Sequence, residues 1–244
     1  SEDPANGFLP TTGTLADLHW APVEGLRVDA GVEAGDSVPV HYDPMLAKVV
    51  AWGATRDEAT RRLALALEGS SVQGVVTNRG FLAQLLRHPA WAAGELHTGF
   101  IDAWFPPETL ADAADDAVLW GAAFGATLAA VASARAERAT EGLLPGLALG
   151  WRNNRWRDPE RVWVLRGRGA DPRRLEVRYR DLGDGRVRLE AVGEGAPGAL
   201  EARVLHRDGR TLRVALGDHV QALRITDGGE DEPVYVHLAG RSVT

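Results

Sequence analysis

The segment WGAAFGATLAAVAS, residues 120–133, carries no charged side chain, and its alanine-rich composition favours a helix. It lies within a proline-free stretch, residues 110–140, that is compatible with one long helix. Asp112 and Asp116 lie near the start of this stretch and Arg138 near its end, which is the charge order that a helix dipole favours. Because a helix that is apolar all round must be enclosed by its neighbours, the segment predicts a central, buried helix.

The sequence after this helix predicts strands that could enclose it. After residue 160, short segments alternate apolar and polar residues as strands do, namely 162–165, 175–179, 187–191, 202–206, 212–216, 220–225 and 234–238. Asp184-Gly185 and Asp208-Gly209 are typical of hairpin turns. Closing these strands around the helix would remove exposed sheet edges and bury the helix at once. We therefore predict an antiparallel β-barrel, about 161–244, wrapped around a long central helix, about 110–140.

The first hundred residues have a different texture, in which strand-like and helix-like periods alternate. Strand-like runs are 14–20, 25–32, 46–52 and 72–76, and helical runs follow the last two and recur at 97–105. Thr55 and Glu58 have the spacing of a capping box at the start of the first helix, and Thr77 and Asn78 are candidate caps for the second. This order predicts an α+β domain over residues 1–106, and Pro106-Pro107 is the predicted boundary before a second domain over 107–244.

Composition and charge exclude several classes of function. The chain is 45% apolar and 25% charged and has no cysteine, which excludes disulfides and thiol chemistry. No uninterrupted run of about eighteen apolar residues appears, so we expect no membrane partner and a cytoplasmic location. Residues 1–110 hold seven basic against fourteen acidic side chains, and residues 151–244 hold eighteen against fifteen. Such weak, interleaved charge does not predict nucleic-acid binding, and the scattered histidines predict no metal site.

Two short stretches concentrate chemically informative side chains. The chain's only lysine and only methionine lie together in HYDPMLAK, residues 41–48, although Asp43-Pro44 can also be read as a simple turn. The second stretch, WRNNRW, pairs tryptophan with arginine as interface hot spots do. Its candidate interface residues are Trp151, Arg152, Asn153 and Trp156. The alternative is that both tryptophans plug one end of the barrel.

Several stretches, in order, resemble signatures of the biotin carboxylases. They are EDPANGFLPTTG (2–13), GDSV (35–38), YDPMLAK (42–48), GVVTN (74–78) and TGFI (98–101). Residues 107–244 resemble the tether domain of the α subunits of acyl-CoA carboxylases of the acetyl-, propionyl- and methylcrotonyl-CoA type. In that family a barrel of about eight strands encloses a helix, and GWRN (150–153) is similar to a motif that follows this helix in propionyl-CoA-type enzymes.

The resemblance implies a two-step ligase reaction. ATP and bicarbonate form a carboxyphosphate, CO₂ passes to the ureido nitrogen of biotin, and a separate carboxyltransferase subunit then carboxylates an acyl-CoA. It places the groups that bind ATP and Mg²⁺ upstream of Ser1 and the biotin-accepting lysine downstream of Thr244, so Lys48 is not that lysine and the chain alone is expected to be inactive. His41, Tyr42 and Asp43 are expected beside the biotin pocket, with Asp43 supporting it rather than reacting.

The implied partners are the carboxyltransferase β subunit and the biotin carboxyl carrier domain of the same polypeptide, in a heteromer. The hot-spot stretch around Trp151 and Trp156 would then contact the carboxyltransferase. The alternative is a free-standing interaction module, derived from a carboxylase and without enzymatic activity. A relative of pyruvate or urea carboxylase is disfavoured, because in those enzymes the resemblance should stop near residue 106.

Overall fold

The computed structural model describes residues 1–110, 116–141, 158–165, 172–227, 233–238 and 240–243. The chain forms two compact units, the first comprising Ser1–Ala114 with Ala239–Ser242 and the second Asp115–Leu238 with Val243–Thr244.

The first unit combines short strands with helices. Its strands are β1 (Glu2–Asp3), β2 (Leu9–Pro10), β3 (Gly13–Thr14), β4 (Asp17–His19), β5 (Leu26–Ala30), β6 (Ser37–Val38), β7 (Ala47–Ala51) and β8 (Ser71–Gln73). Its α-helices are α1 (Arg56–Gly69), α2 (Arg79–Arg87), α3 (Pro89–Ala93) and α4 (Phe100–Trp104). The strands pair antiparallel in twos, as β1-β2, β3-β6, β4-β8 and β5-β7. This is the predicted mixture of helices and sheets.

Helix α1 begins where the capping box predicts. The Thr55 hydroxyl accepts a hydrogen bond from the Glu58 N–H at 3.2 Å, and the Glu58 carboxylate accepts one from the Ala54 N–H at 2.7 Å. Two otherwise unpaired backbone donors are thereby satisfied. Leu67 and Ala64 on the inner face of α1 then pack with Leu86 of α2 in one apolar cluster.

All four predicted strands of the first unit and its third predicted helix are shorter than expected, and for three of them the structure shows the reason. The strand-like run 14–20 divides into β3 and β4, because Leu15 between them donates its N–H to the Asp36 carbonyl instead. Strand β8 ends before Gly74, whose φ of +100° cannot continue a strand. The helical run 97–105 contracts to α4, which begins after Gly99, a poor helix former.

The second unit is an eight-stranded antiparallel sheet that curls into a nearly closed barrel. Its strands are β9 (Glu160–Leu165), β10 (Arg173–Gly183), β11 (Arg186–Val192), β12 (Ala199–Asp208), β13 (Thr211–Leu216), β14 (His219–Asp227), β15 (Val234–Leu238) and β16 (Arg241–Val243). They follow each other in sheet order, from β9 to β16. The Asp184-Gly185 turn has positive φ at both residues, as a type I′ hairpin requires. The predicted barrel is therefore confirmed.

Helix α5 (Asp116–Glu141) runs through the core of this barrel. Trp120, Phe124, Leu128 and Val131 on the helix pack in one apolar cluster with inward-facing residues of the strands. Gly125 lets the strands approach closely, since a Cβ added there would lie 2.4 Å from a methyl carbon of Leu223. The prediction of an enclosed central helix is confirmed.

Polar contacts fix the helix in the barrel. Thr127 is fully buried; its hydroxyl donates to the Ala123 carbonyl at 2.8 Å and accepts from the indole N–H of Trp163 on β9 at 2.9 Å. Further along the helix, Arg135 donates two hydrogen bonds to the carboxylate of Asp181 on β10. The helix is thus connected to two neighbouring strands by satisfied side chains as well as by apolar packing.

Composition alone does not separate α5 from a membrane span. Residues Asp116–Ala139 include an 18-residue window with a mean hydropathy of 1.7, and this is the helix among the described residues that is long and apolar enough to cross a membrane. Half of that window is buried inside the protein. Its apolar character has an internal explanation, because the same side chains form the core of the barrel.

Candidate functional site

The loop that carries HYDPM lies between β6 and β7, and a turn shapes it. The Asp43 carboxylate accepts a hydrogen bond from the Met45 N–H at 2.8 Å, which is the local pairing of an Asx turn. The simple-turn interpretation of Asp43-Pro44 therefore describes the backbone correctly. The turn is not the only feature of this loop, because Asp43 also lines a cavity.

The start of the chain lies against this loop. The Ser1 amino group donates to the Pro44 carbonyl at 2.5 Å, and the Ser1 hydroxyl donates to the same oxygen at 3.2 Å. The EDP and DPM sequences, some forty residues apart, consequently meet.

The GVVTN sequence, residues 74–78, also contacts the first residues of the chain. The Asn78 side-chain amide donates to the Glu2 carboxylate at 2.8 Å, and the Thr11 hydroxyl donates to the Val76 carbonyl at 2.7 Å. Asn78 occupies the N-cap position of α2, as predicted, but its side chain makes no capping hydrogen bond; its amide NH₂ group donates to Glu2. Gly74 is required here, since a Cβ would lie 1.9 Å from the Thr14 carbonyl oxygen.

These three sequences enclose a cavity of about 390 Å³. Its lining residues are Ser1, Glu2, Trp20, Asp43, Pro44, Met45, Leu46, Ala47, Val49, Leu67, Val72, Thr77, Asn78, Arg79 and Leu82. The volume falls in the range of about 300–1,000 Å³ that is usual for small-molecule pockets. Apolar side chains make up most of the wall, and Glu2, Asp43 and Asn78 add hydrogen-bonding groups.

One buried side chain beside the cavity was not singled out in the sequence. Arg79 is only 8% exposed, and its guanidinium donates to the Leu67 carbonyl near the end of α1 at 2.5 Å. A positive charge is unfavourable in the first turn of α2 but favourable near the last carbonyls of α1. The sequence therefore contained one sign of this role: an arginine immediately after Asn78, in the first turn of a predicted helix, where a positive charge is unfavourable.

Among the described residues, His41, Tyr42 and Lys48 do not belong to the cavity wall. Tyr42 is 82% exposed and His41 is exposed, and neither lines the cavity. Lys48 lies on β7 opposite Asp29, and no carboxylate oxygen of the described residues comes within 4.0 Å of its amine. The candidate interface residues Trp151, Arg152, Asn153 and Trp156 lie outside the described residues.

Within the part of the chain that the structure describes, no group of three or more His, Asp or Glu side chains could hold a metal ion. The carboxylates of Glu2 and Asp43 at the cavity are accordingly hydrogen-bond acceptors, with Asn78 and the Met45 N–H as their donors.

Comparison with known proteins assigns the first unit. Residues 1–103 match the family model described as the biotin carboxylase C-terminal domain, and this part of the chain is such a domain. Its relatives include the mitochondrial methylcrotonoyl-CoA carboxylase subunit alpha of Dictyostelium discoideum, which is 48% identical over 102 residues. That alignment covers 41% of this chain and 15% of the relative, so the chain spans a small part of the proteins it matches.

Other carboxylases match over the same region. Biotin carboxylase 1 of Bacillus subtilis is 36% identical over 104 residues, which is 43% of this chain and 23% of that protein. The biotin carboxylase domain of Hydrogenobacter thermophilus 2-oxoglutarate carboxylase, solved with MgADP and bicarbonate, is 27% identical with a TM-score of 0.43. It covers 47% of this chain and 24% of that one.

The length of the alignments does not separate the types of carboxylase. The putative urea carboxylase of Emericella nidulans aligns over 102 residues, as does the Dictyostelium subunit. Over the first unit, these alignments therefore do not distinguish a urea carboxylase from an acyl-CoA carboxylase subunit.

Proposed function

We propose that the chain is part of the α subunit of a biotin-dependent acyl-CoA carboxylase. In this proposal residues 1–106 complete the biotin carboxylase region, and residues 107–244 form a tether domain that docks this region to the carboxyltransferase β subunit. The observation that carries the proposal is the convergence of EDP, DPM and GVVTN on one cavity within a biotin carboxylase C-terminal domain. The helix enclosed by a barrel supports the acyl-CoA type, as the resemblance implies.

The parent protein would use ATP and Mg²⁺, bound upstream of this chain, and biotin, attached to a downstream carrier domain and received at the pocket described here. Biotin supplies the nitrogen that accepts CO₂. The role of the present residues is to bind and position: the apolar wall of the cavity excludes water, and the turn at Asp43 holds Met45 and Pro44 in place. Asp43 would support the biotin pocket, with His41 and Tyr42 in the exposed loop beside it.

Asp43 gives the proposal a direct test in the full-length subunit. An Asp43→Asn change keeps a side-chain oxygen that can accept from the Met45 N–H but removes the charge at the cavity. We expect bicarbonate-dependent ATP hydrolysis with free biotin to fall by about tenfold, the size of effect seen when an outer supporting residue is lost. Lys48→Gln, on the adjacent strand and outside the cavity wall, is the control. Unchanged hydrolysis in Asp43→Asn would remove Asp43 from the proposal.

Whether the chain works inside a carboxylase at all is tested in the source cells. An antibody raised against this chain and labelled streptavidin should mark one band, well above the 26.2 kDa of the present chain. A band near 26.2 kDa that streptavidin does not mark would favour the alternative, a free-standing interaction module without enzymatic activity.

The docking role is a separate part of the proposal. Trp151, Arg152, Asn153 and Trp156 are its candidate contacts, since buried tryptophan and arginine carry most of the energy of typical interfaces. Replacing Trp151 and Trp156 with alanine in the full subunit should abolish co-purification of the carboxyltransferase and leave biotin carboxylation intact. Location is part of the same proposal, with a cytoplasmic address predicted and relatives that are mitochondrial by name.

A further inference from the structure

The outward face of the barrel carries two pairs of arginines that lie directly opposite each other. Arg180 on β10 faces Arg188 on β11, and Arg186 on β11 faces Arg203 on β12. Residues opposite each other in such a pair have Cβ atoms about 4.5–5.5 Å apart. Because Arg186 and Arg188 are two residues apart, they share one face of the sheet. The four side chains therefore form one contiguous group, called here the arginine quartet.

Acidic side chains pair directly with two of the four arginines, and Glu201 on β12 also lies opposite Arg188 in the strand register without contacting it within 4.0 Å. The Arg180 Nε atom lies 2.9 and 3.1 Å from the carboxylate oxygens of Asp158, and an Arg186 Nη atom lies 3.4 Å from the Glu201 carboxylate. Across the described residues, no carboxylate oxygen comes within 4.0 Å of Arg188 or Arg203. Both side chains are exposed, so two guanidinium groups face solvent with their donors available.

The stability of the barrel does not explain this arrangement. Like charges directly opposite each other on neighbouring strands are destabilising. Exposed ion pairs such as those of Arg180 and Arg186 contribute little to the free energy of unfolding. A guanidinium group presents a planar fork of donors that matches a carboxylate in two parallel hydrogen bonds. Arginines held close together against their mutual repulsion are therefore suited to binding acidic groups from another molecule.

Exposed apolar side chains border the quartet. The row of residues that contains Arg203 continues through Ala215 on β13 to Val220 on β14, and Val220 is 54% exposed. Leu205, two residues beyond Arg203 on β12, is 47% exposed. Arginine next to apolar side chains is characteristic of protein–protein interfaces, so the surroundings favour a protein partner.

We propose that the arginine quartet binds an acidic segment of a partner protein, whose carboxylates pair with Arg188 and Arg203. A nucleic acid fits less well, because Asp158, Glu190 and Glu201 lie among the arginines and would face its closely spaced phosphates. Discrete carboxylates on a protein can meet the two free guanidinium groups and avoid the acidic ones. This inference depends on the barrel alone and not on the carboxylase assignment.

The test uses the full 244-residue chain and a fluorescein-labelled peptide of about ten glutamates, which spans about 33 Å when extended. Fluorescence anisotropy measures its affinity for the unmodified protein and for the double variant Arg188→Gln with Arg203→Gln. We expect the double variant to bind about tenfold more weakly, and the difference to shrink when NaCl is raised from about 50 to about 200 mM.

A matched control separates the quartet from overall charge. The double variant Arg61→Gln with Arg174→Gln loses the same two charges from exposed arginines that have no carboxylate within 4.0 Å among the described residues. It should bind the peptide as the unmodified chain does. The change at Arg188 and Arg203 removes like-charge contacts with Arg180 and Arg186 but also the cation opposite Glu201, so that variant should melt close to the temperature of the unmodified chain. Arg188→Lys with Arg203→Lys, which keeps the charge, should retain part of the affinity.

Three results would overturn the proposal. The first is equal weakening of peptide binding in the control and quartet variants, which would mean a general charge effect. The second is absence of peptide binding to the unmodified chain at about 50 mM NaCl, where surface charges are least screened. The third is tighter, quartet-dependent binding of an oligothymidylate than of the peptide, which would assign the surface to a nucleic acid.

Discussion

The two units of this chain bury their apolar side chains in different ways. In the second unit, a single cluster extends from α5 to the inward faces of the strands, and its members include Leu128, Val177 and Val214. In the first unit, the described residues form several smaller clusters, supported by ladders of only two strands. The first unit also leaves Tyr42 and Trp52 largely exposed beside its loops.

The difference follows from how far apart in sequence the contacting residues lie. Each barrel strand pairs with the next one along the chain, so a hairpin turn is enough to position it. In the first unit, the contacts that define the cavity join Ser1 to Pro44 and Glu2 to Asn78. A core formed by neighbours in sequence can be self-sufficient, whereas a site formed by distant segments depends on many separate contacts.

The largest expected effect tests whether the barrel has one core. Leu128 is 1% exposed at the centre of α5, and Leu128→Ala should lower the free energy of unfolding of the barrel by about 2–5 kcal/mol. Hydrogen exchange should accelerate in all strands of the barrel, because they share the cluster. Val164→Ala on β9, at a side chain 55% exposed, is the control and should change stability by less than about 0.5 kcal/mol. Acceleration confined to the turn around Leu128 would contradict a single core.

A medium effect tests the polar connection inside that core. Thr127→Val removes the acceptor of the Trp163 indole N–H and should cost about 1–3 kcal/mol, since a buried donor is left unpaired. Trp163→Phe removes the donor instead. In a double-mutant cycle followed by chemical unfolding, the two changes together should cost less than their sum. Strict additivity would show that the hydrogen bond contributes nothing.

A smaller effect tests the cap of helix α1 in the first unit. Thr55→Ala removes the hydroxyl that caps α1 and should cost about 1 kcal/mol, while Thr55→Ser, which keeps the hydroxyl, should cost little. Thermal unfolding followed by circular dichroism measures both. Equal losses in the two variants would mean that the methyl group of Thr55, and not its hydroxyl, stabilises the helix.

The smallest effect concerns the first turn of α5. A hydrogen bond from Arg173 lowers the pKa of Asp116, so the pair stabilises the fold at neutral pH and the contribution is lost as pH falls through the lowered pKa. Both groups are exposed, so Arg173→Gln should lower the melting temperature at pH 7 by no more than about 2 °C. The difference should shrink as pH falls through the lowered pKa of Asp116 and vanish once that carboxyl group is protonated in the folded protein. A difference that persists then would exclude the ion pair as its cause.

Most of the fold could be predicted from local patterns in the sequence. The capping residues Thr55 and Glu58 predicted where α1 begins, because a helix start is satisfied by residues three apart. Alternation predicted seven of the barrel strands, and Val234–Leu238 matches its predicted bounds. Strand β16 was missed because three residues are too few to show a period.

The site was predicted less completely. The sequence directed attention to Asp43, which the structure brings to the cavity, and to His41 and Tyr42, which it leaves exposed. A run of neighbouring residues in a loop does not show which of them points inward. The engagement of Asn78 by Glu2 could not be predicted either, because the two residues lie far apart in the sequence.

The sequence by itself determined the enclosed helix of residues 120–133, the meandering barrel around it and the signatures of a biotin carboxylase C-terminal domain. These features depend on periodicity and on short-range chemistry, which a linear sequence displays directly. Only the tertiary structure decided the cavity, the buried position of Arg79 and the register that sets Arg186 against Arg203. Those depend on which distant residues come within a few ångströms, and that is fixed by the packing of the whole unit.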